Sequence, residues 1–387
     1  MLITEGSQFL ARGPLRLTVT NGSISCRGIA FDPASQPLVV KVWESFDLTA
    51  LEDSQLQTAG MGQLEPVEAA YPNEWPAFIG SLPADFLGKA LIAGQSDTGK
   101  STLCTLLANR CLITAREVSL VDSDVGQSSI GPPTAVGLGR AKKPLLRLTE
   151  AEFVDAYFAG DTSPAHCIEE VVEGTRVMME EAEAMSETTI LDTCGLVTGP
   201  LGEYLTKQII ATVQPDVIVM LEREDELAYL QSAGTKVIRL PALPTGKKGV
   251  EARRAFRLSQ YLSCLKQSRI VRYDLSAVAV EGYLARRARR RSLAQNGNPL
   301  KSANLNCSDL MDMHHAIVGL HKGEKYVDLG VIDSLDCDEK AIRILTTCAS
   351  EIDRVIVGNL RLGGEGETRL LQTQEEPSRS GPVHQGP

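Results

Sequence analysis

Gly94-Gln95-Ser96-Asp97-Thr98-Gly99-Lys100-Ser101 matches G-x-x-x-x-G-K-[ST] without a gap. It lies between the strand-like run Ala90-Leu91-Ile92-Ala93 and the helix-forming run Thr102-Leu103-Cys104-Thr105-Leu106-Leu107. Strand, loop and helix in that order make a phosphate loop. The glycines let the backbone turn its N–H groups around phosphate oxygens, and the following helix presents its positive end. Lys100 is expected to reach the β- and γ-phosphates and Ser101 to hold Mg²⁺ through its hydroxyl. Nucleotide contacts are expected along Gly94, Gln95, Ser96, Asp97, Thr98, Gly99, Lys100, Ser101 and Thr102. The loop implies a nucleoside triphosphate; the fate of the γ-phosphate has to be read elsewhere.

Around this loop, strands alternate with helices, which is the pattern of an α/β sheet. Strands are expected at 90–93, 117–122, 153–159, 188–192 and 216–221, and helices at 100–110, 167–185, 200–213 and 223–232. A further helix is expected from Trp75 to Leu87, and a basic, helix-prone lid at 245–268, introduced by Pro241, Pro244 and Gly246. Residues 1–70 read as a small β domain, with a hairpin turning at Asn21-Gly22 and a strand from Leu38 to Trp43. The sheet and lid together occupy 71–268. Strands return after that, including 325–332 and 354–357, and imply a small β-containing domain at 269–362. The glycine-rich end, 363–387, has almost nothing to bury and reads as disordered. The expected fold class is α/β: a central P-loop NTPase domain with a mostly parallel sheet, flanked by two small β domains.

At 387 residues the chain has room for two or three domains. No run of about 18 apolar residues is present, so no membrane span is expected. Met1-Leu2-Ile3-Thr4-Glu5-Gly6 lacks the basic start and long apolar stretch of a secretory signal. The nine cysteines are scattered without a C-x-x-C pair and read as buried hydrophobes in a reducing compartment. A cytoplasmic location is expected. The formal charge of −10 does not exclude a nucleic-acid partner, because a polynucleotide meets the local patch. Two stretches run against the acidic average: Lys247-Lys248 through Arg257, and Arg286-Arg287-Ala288-Arg289-Arg290-Arg291.

About twenty residues past the phosphate loop, an apolar strand ends in Asp122-Ser123-Asp124-Val125-Gly126-Gln127. Asp122 and Asp124 are placed to serve the magnesium shell, with one of them accepting the proton of an attacking hydroxyl. Gln127 is placed to orient that nucleophile. Arg253 and Arg257, at i and i+4 of a predicted helix, share one face and suit a lid that supplies positive charge to the transition state. Two loops end strands on the same edge, Tyr157–Pro164 and Thr189–Leu196, which offer Thr162, Thr193 and the N–H groups around Gly195 to an acceptor. His166, with nothing pairing it in sequence, reads as a surface residue.

These strings in this order resemble the polynucleotide 5′-hydroxyl kinase family, the P-loop RNA kinases of pre-mRNA cleavage and ribosomal RNA processing with their archaeal and bacterial relatives. The resemblance covers about residues 1–362. It implies transfer of the γ-phosphate of ATP, or GTP, to the 5′-hydroxyl of RNA or DNA, with Mg²⁺, and protein partners in RNA processing. It assigns phosphate binding to Lys100, the metal to Ser101 with Asp122 and Asp124, and the base to Asp124. It further assigns a substrate clasp to Thr193–Gly195, the lid to Arg253 and Arg257, and a nucleotide contact to Glu5. Two departures stand out: Leu196 occupies a position where several eukaryotic members carry Trp, and the lid spacing matches only loosely. A catalytically silent nucleotide-binding scaffold and an ATPase or GTPase switch are the alternatives.

Overall fold

The computed structural model describes residues 1–42, 44–83, 86–115, 117–231, 234–244, 249–282, 313–336, 338–364 and 366–369. Trp43, Lys247, Lys248, Arg286–Arg291 and residues 370–387 lie outside them. The chain divides into two compact units, residues 1–266 with 324–326 and the remainder from 267 onward.

The first unit opens with nine short strands: β1 (Leu2–Ile3), β2 (Gln8–Arg12), β3 (Leu15–Asn21), β4 (Ile24–Cys26), β5 (Ile29–Phe31), β6 (Leu38–Val40), β7 (Ser45–Ala50), β8 (Ser54–Gly60) and β9 (Gln63–Val67). They form two sheets, ordered β1-β8-β3-β6 and β5-β4-β7-β2-β9. Strict alternation, as in the in–out pattern of β7, turns Phe46, Leu48 and Ala50 into a shared core with Leu17, Val19, Ile24 and Leu56. The expected hairpin at Asn21-Gly22 is not formed, because β3 and β4 belong to different sheets. Gly22 has a φ of +76°, and a Cβ there would lie 2.5 Å from the Asp53 carbonyl. The chain thus crosses between sheets where only a glycine passes.

The central sheet follows: α1 (Glu74–Ser81), β10 (Gly88–Gly94), α2 (Lys100–Cys111), β11 (Val118–Asp122), β12 (Ala135–Ala141), β13 (Glu152–Phe158), α3 (Ile168–Met185), β14 (Thr188–Asp192), α4 (Gly199–Val213), β15 (Val217–Glu222), β16 (Lys236–Pro241) and α5 (Val250–Cys264). The strand order is β13-β12-β11-β14-β10-β15-β16. The five strands from β11 to β16 run parallel, while β12 is antiparallel to both β11 and β13. Strands β11, β14 and β15 are buried on both faces, so they lack the in–out alternation of a half-exposed strand, and β15 is apolar from Val217 to Leu221. One face is covered by α3 and α4, through residues such as Val171, Met178 and Leu205, and the other by α1 and α2, through Trp75, Leu103 and Leu107.

Two expected helices fall short. The first stops at Ser81. The second, at 223–232, is reduced to a 3₁₀ turn at Ala228–Leu230. Glu222 accepts from the Leu227 N–H, the donor that a helix starting at 223 would direct to the Arg223 carbonyl, while Glu226 accepts from the N–H groups of Arg223 and Glu224.

The second unit is a seven-stranded sheet made by β17 (Arg269–Asp274), β18 (Ala279–Gly282), β19 (Ala316–Lys322), β20 (Lys325–Asp336), β21 (Ala341–Thr346), β22 (Arg354–Gly363) and β23 (Gly366–Arg369). Its core gathers Val318, Leu320, Ile332, Ile344 and Val355. The expected disorder from 363 begins too early: β23 pairs back on β22, with Leu360 opposite Arg369.

Candidate active site

β10 delivers Gly94 to the carboxyl edge of the sheet, and α2 begins at Lys100. The loop between them is held by its own polar groups. Thr98 Oγ1 donates to the Gln95 carbonyl at 2.9 Å, and the Leu243 N–H donates to the Thr98 carbonyl at 2.9 Å. Asp97 adopts a left-handed φ of +61°, and Arg223 Nη2 donates to its carbonyl at 2.8 Å. Lys100 is buried, with Nζ donating to the Gln95 carbonyl at 3.0 Å. A phosphate oxygen is a stronger acceptor for an ammonium than that carbonyl, because both partners are charged.

The strand next to β10 on this side is β14, with Asp192 paired opposite Ile92. Ser101 Oγ donates to Asp192 Oδ2 at 2.5 Å. Asp192 Oδ1 is buried with no hydrogen-bond partner among the described residues. Burial pushes Asp192 up to about 6, opposed by the charge of Lys100 and the Ser101 hydroxyl and reinforced by Asp124.

Asp122 ends β11, one strand further out, and its surroundings differ from those expected. Its Oδ1 accepts from the Asp124 N–H at 2.9 Å, and its Oδ2 accepts from the N–H groups of Ser129 and Ile130. The carboxylate braces the loop that follows it, and the Ser101 hydroxyl meets Asp192 instead. Burial raises Asp122 well above the usual carboxylate range, and the charges of Asp192 and Asp124 raise it further. Sequence reasoning passes over Asp192, although its signal, an apolar strand ending in a carboxylate, is the same as that of Asp122. Only strand order separates the two.

Asp124 lines the cavity in front of the phosphate loop together with Gln127. Its Oδ1 accepts from the N–H groups of Gly126 and Gln127, both at 3.0 Å, which orients the carboxylate.

Of the residues expected to clasp an acceptor, Thr193 has its hydroxyl engaged within the fold. Thr193 is buried, and its Oγ1 donates to the Ile92 carbonyl at 2.8 Å, fastening the end of β14 to β10. Gly195 lies against the phosphate loop, where a Cβ would sit 2.2 Å from Ser96 Oγ. The Thr162 carbonyl approaches Gly126. His166 Nδ1 lies 3.6 Å from Asp161 Oδ1, so it has a partner that the sequence does not announce.

Helix α5 brings its charged face to both loops. Arg253 Nη2 pairs with Asp97 Oδ2 at 2.6 Å, and Arg257 Nη1 donates to the Gly126 carbonyl at 3.4 Å. Gln260 donates to the Ser128 carbonyl, Tyr261 is buried, and Phe256 lines the cavity. Residues 253, 257 and 260 recur at helical spacing on one face, as the i, i+4 reading requires.

The cavity has a volume of about 490 Å³, and its far wall comes from the N-terminal strands and their turns through Arg12, Arg27 and Phe46, joined by Arg147 from the segment that follows β12. The guanidinium carbons of Arg27 and Arg147 lie 4.9 and 4.7 Å from the centre of the Phe46 ring. Arg147 pairs with Glu44 at 2.7 Å, and Arg27 with Asp47 at 3.7 Å. No motif marks these residues, so sequence reasoning missed them. Glu5 is exposed and does not line the cavity. It precedes β2, whereas Arg12 ends it, so the length of that strand, roughly 16 Å, separates it from the wall.

Residues 94–266 match the family model described as mRNA cleavage and polyadenylation factor CLP1 P-loop. A polyribonucleotide 5′-hydroxyl-kinase of Thermococcus kodakarensis is 28% identical over 74% of this chain and 91% of its own length. One of Methanocaldococcus jannaschii is 27% identical over 72% of this chain and 88% of its own length. One of Pyrococcus horikoshii is 30% identical over 67% of this chain and 71% of its own length. The solved structure of wild-type Clp1p with Pcf11p is alike in fold, with a TM-score of 0.67 at 13% identity, covering 93% of this chain and 97% of that one. The chain belongs to the family of the polyribonucleotide 5′-hydroxyl-kinases, and its phosphate-loop domain matches the family model of the mRNA cleavage and polyadenylation factor CLP1.

Proposed function

We propose that this protein is an ATP-dependent polynucleotide 5′-hydroxyl kinase. The observation that carries the reading is the convergence of Lys100, the Ser101–Asp192 pair and Asp124 at one end of the sheet. The acceptor's 5′-oxygen attacks the γ-phosphorus, the bond to the β-bridging oxygen breaks, and ADP leaves. Asp124 takes the hydroxyl proton, and Lys100 with Arg253 and Arg257 balances charge on the moving phosphoryl group. GTP is an alternative donor, since the triphosphate and not the base carries these contacts. The wall containing Phe46, Arg27 and Arg147 is our choice for the nucleobase side, in place of Glu5.

A hard divalent cation suits the donor set, because Ser101 Oγ stands beside a buried carboxylate oxygen of Asp192 that has no hydrogen-bond partner. Among the described residues no cluster of three or more metal-binding side chains occurs, and Mg²⁺ needs only one or two alongside phosphates and waters. Ser101 and Asp192 would hold it, and it would neutralise charge on the β- and γ-phosphates. No helix among the described residues is long and apolar enough to cross a membrane. The buried thiols of Cys104 and Cys194 suit the reducing cytoplasm, where we place the protein.

The test supplies ATP or GTP labelled at the γ-phosphate with matched 5′-hydroxyl RNA and DNA oligomers. Label on the oligomer is the expected result, with RNA as the preferred acceptor. Nucleotide bound without transfer would leave a scaffold, and hydrolysis without transfer would leave a switch.

A further inference from the structure

We propose that Asp97, inside the phosphate loop, is a positioning residue that holds the lid arginine Arg253 in register with the triphosphate. The inference rests on the kinase reading and names a residue that reading leaves without a role. A carboxylate facing a nucleoside triphosphate opposes its binding by simple repulsion. Asp97 lines the nucleotide cavity, yet its side chain is only 8% exposed and is engaged with Arg253 at 2.6 Å. The pairing places a cation where the loop would otherwise present an anion.

The geometry around the pair favours orientation over simple neutralisation. Asp97 is fixed at a left-handed φ of +61°, with its carbonyl gripped by Arg223 at 2.8 Å. Arg253 spends Nη2 on Asp97, while its Nε is buried with no hydrogen-bond partner among the described residues. A guanidinium has five N–H donors in a rigid fork, so holding one edge aims the others. Helix α5 is already tied to the Asp124 loop through Arg257 and Gln260. The Asp97 contact adds the donor loop, so one helix face registers both halves of the site. Donors aimed before the reaction need no reorganisation as charge develops, and the contribution therefore falls on the rate.

The test is Asp97→Asn in the full chain, with Arg253→Ala and the double variant. Asparagine keeps the size and tolerates the left-handed backbone, so the loop is expected to remain intact, as matched thermal melts check. The kcat for label transfer from ATP to a 5′-hydroxyl RNA oligomer is expected to fall roughly 10- to 100-fold. The Kd for ATP is expected to stay level or tighten, because a negative charge has gone. The double variant should be no slower than Arg253→Ala alone, since both changes remove one interaction. A kcat within threefold of the parent, a loss confined to ATP affinity, or multiplying effects in the double variant would overturn the proposal. Absence of transfer by the parent chain would instead remove the kinase reading itself, and this proposal with it.

Discussion

Asp192→Asn should make the nucleotide-free protein more stable while removing its activity. Asp192 is buried at the sheet edge, and its pKa rises from 3.8 to about 6, mainly through loss of hydration. At 1.36 kcal/mol for each tenfold change in proton affinity, that rise corresponds to about 3 kcal/mol against the ionised form. The sign follows from linkage. The folded state holds the proton more tightly than the unfolded chain, so stability is fullest below about pH 4. It declines as pH rises through about 6 and is level above that. The neutral amide escapes this cost. The gain from the substitution should therefore be about 3 kcal/mol at pH 7.5 and about half of that at pH 5, less about 1 kcal/mol for desolvating the amide. Denaturant unfolding of both proteins at the two pH values, without nucleotide or magnesium, measures it. Label transfer should fall at least 100-fold, because the carboxylate proposed to face the metal is gone. A variant destabilised equally at both pH values, or one transferring phosphate within threefold of the parent, would contradict the place given to Asp192.

Lys100→Ala should abolish transfer and leave the unfolding transition nearly unchanged, since Nζ gives up a single bond to the Gln95 carbonyl; residual transfer above about 1% of the parent would contradict its assignment to the phosphates. Gly195→Ala should weaken ATP binding at least tenfold, read by calorimetry, because the added methyl meets Ser96 Oγ at 2.2 Å and must displace the phosphate loop; unchanged affinity would mean that the loop yields freely. Thr193→Val should cost about 1 kcal/mol of stability by deleting the bond to the Ile92 carbonyl, with the KM for acceptor within threefold; a large rise in that KM would restore Thr193 to the acceptor site.

The phosphate loop was legible in full, since its glycines, Lys100 and Ser101 sit in eight consecutive residues and the chemistry depends on local backbone geometry. The parallel strands were legible for a similar reason: strands buried on both faces are written as mostly apolar runs without in–out alternation, as in Val118–Val121 and Val217–Leu221. The face of α5 could also be read, because helical period alone aligns Arg253 with Arg257. Short-range competition defeated the reading at 223–232, where the Glu222 carboxylate takes the Leu227 N–H that a helix would direct to Arg223.

The donor half, a triphosphate loop at the carboxyl end of an α/β sheet, is thus written in local residue order. Tertiary structure alone decided which carboxylate meets Ser101. Asp122 and Asp192 look alike along the chain, each closing an apolar strand, but β14 lies between β11 and β10 and sets Asp192 beside the loop. It also decided that Thr193 is a fastener, that Asp97 takes Arg253, and that Phe46 with its two arginines walls the cavity. Strand order and sheet-to-sheet packing join residues tens to more than a hundred positions apart, and no local propensity encodes those distances. Local chemistry was written in the sequence; neighbourhood was written only in the fold.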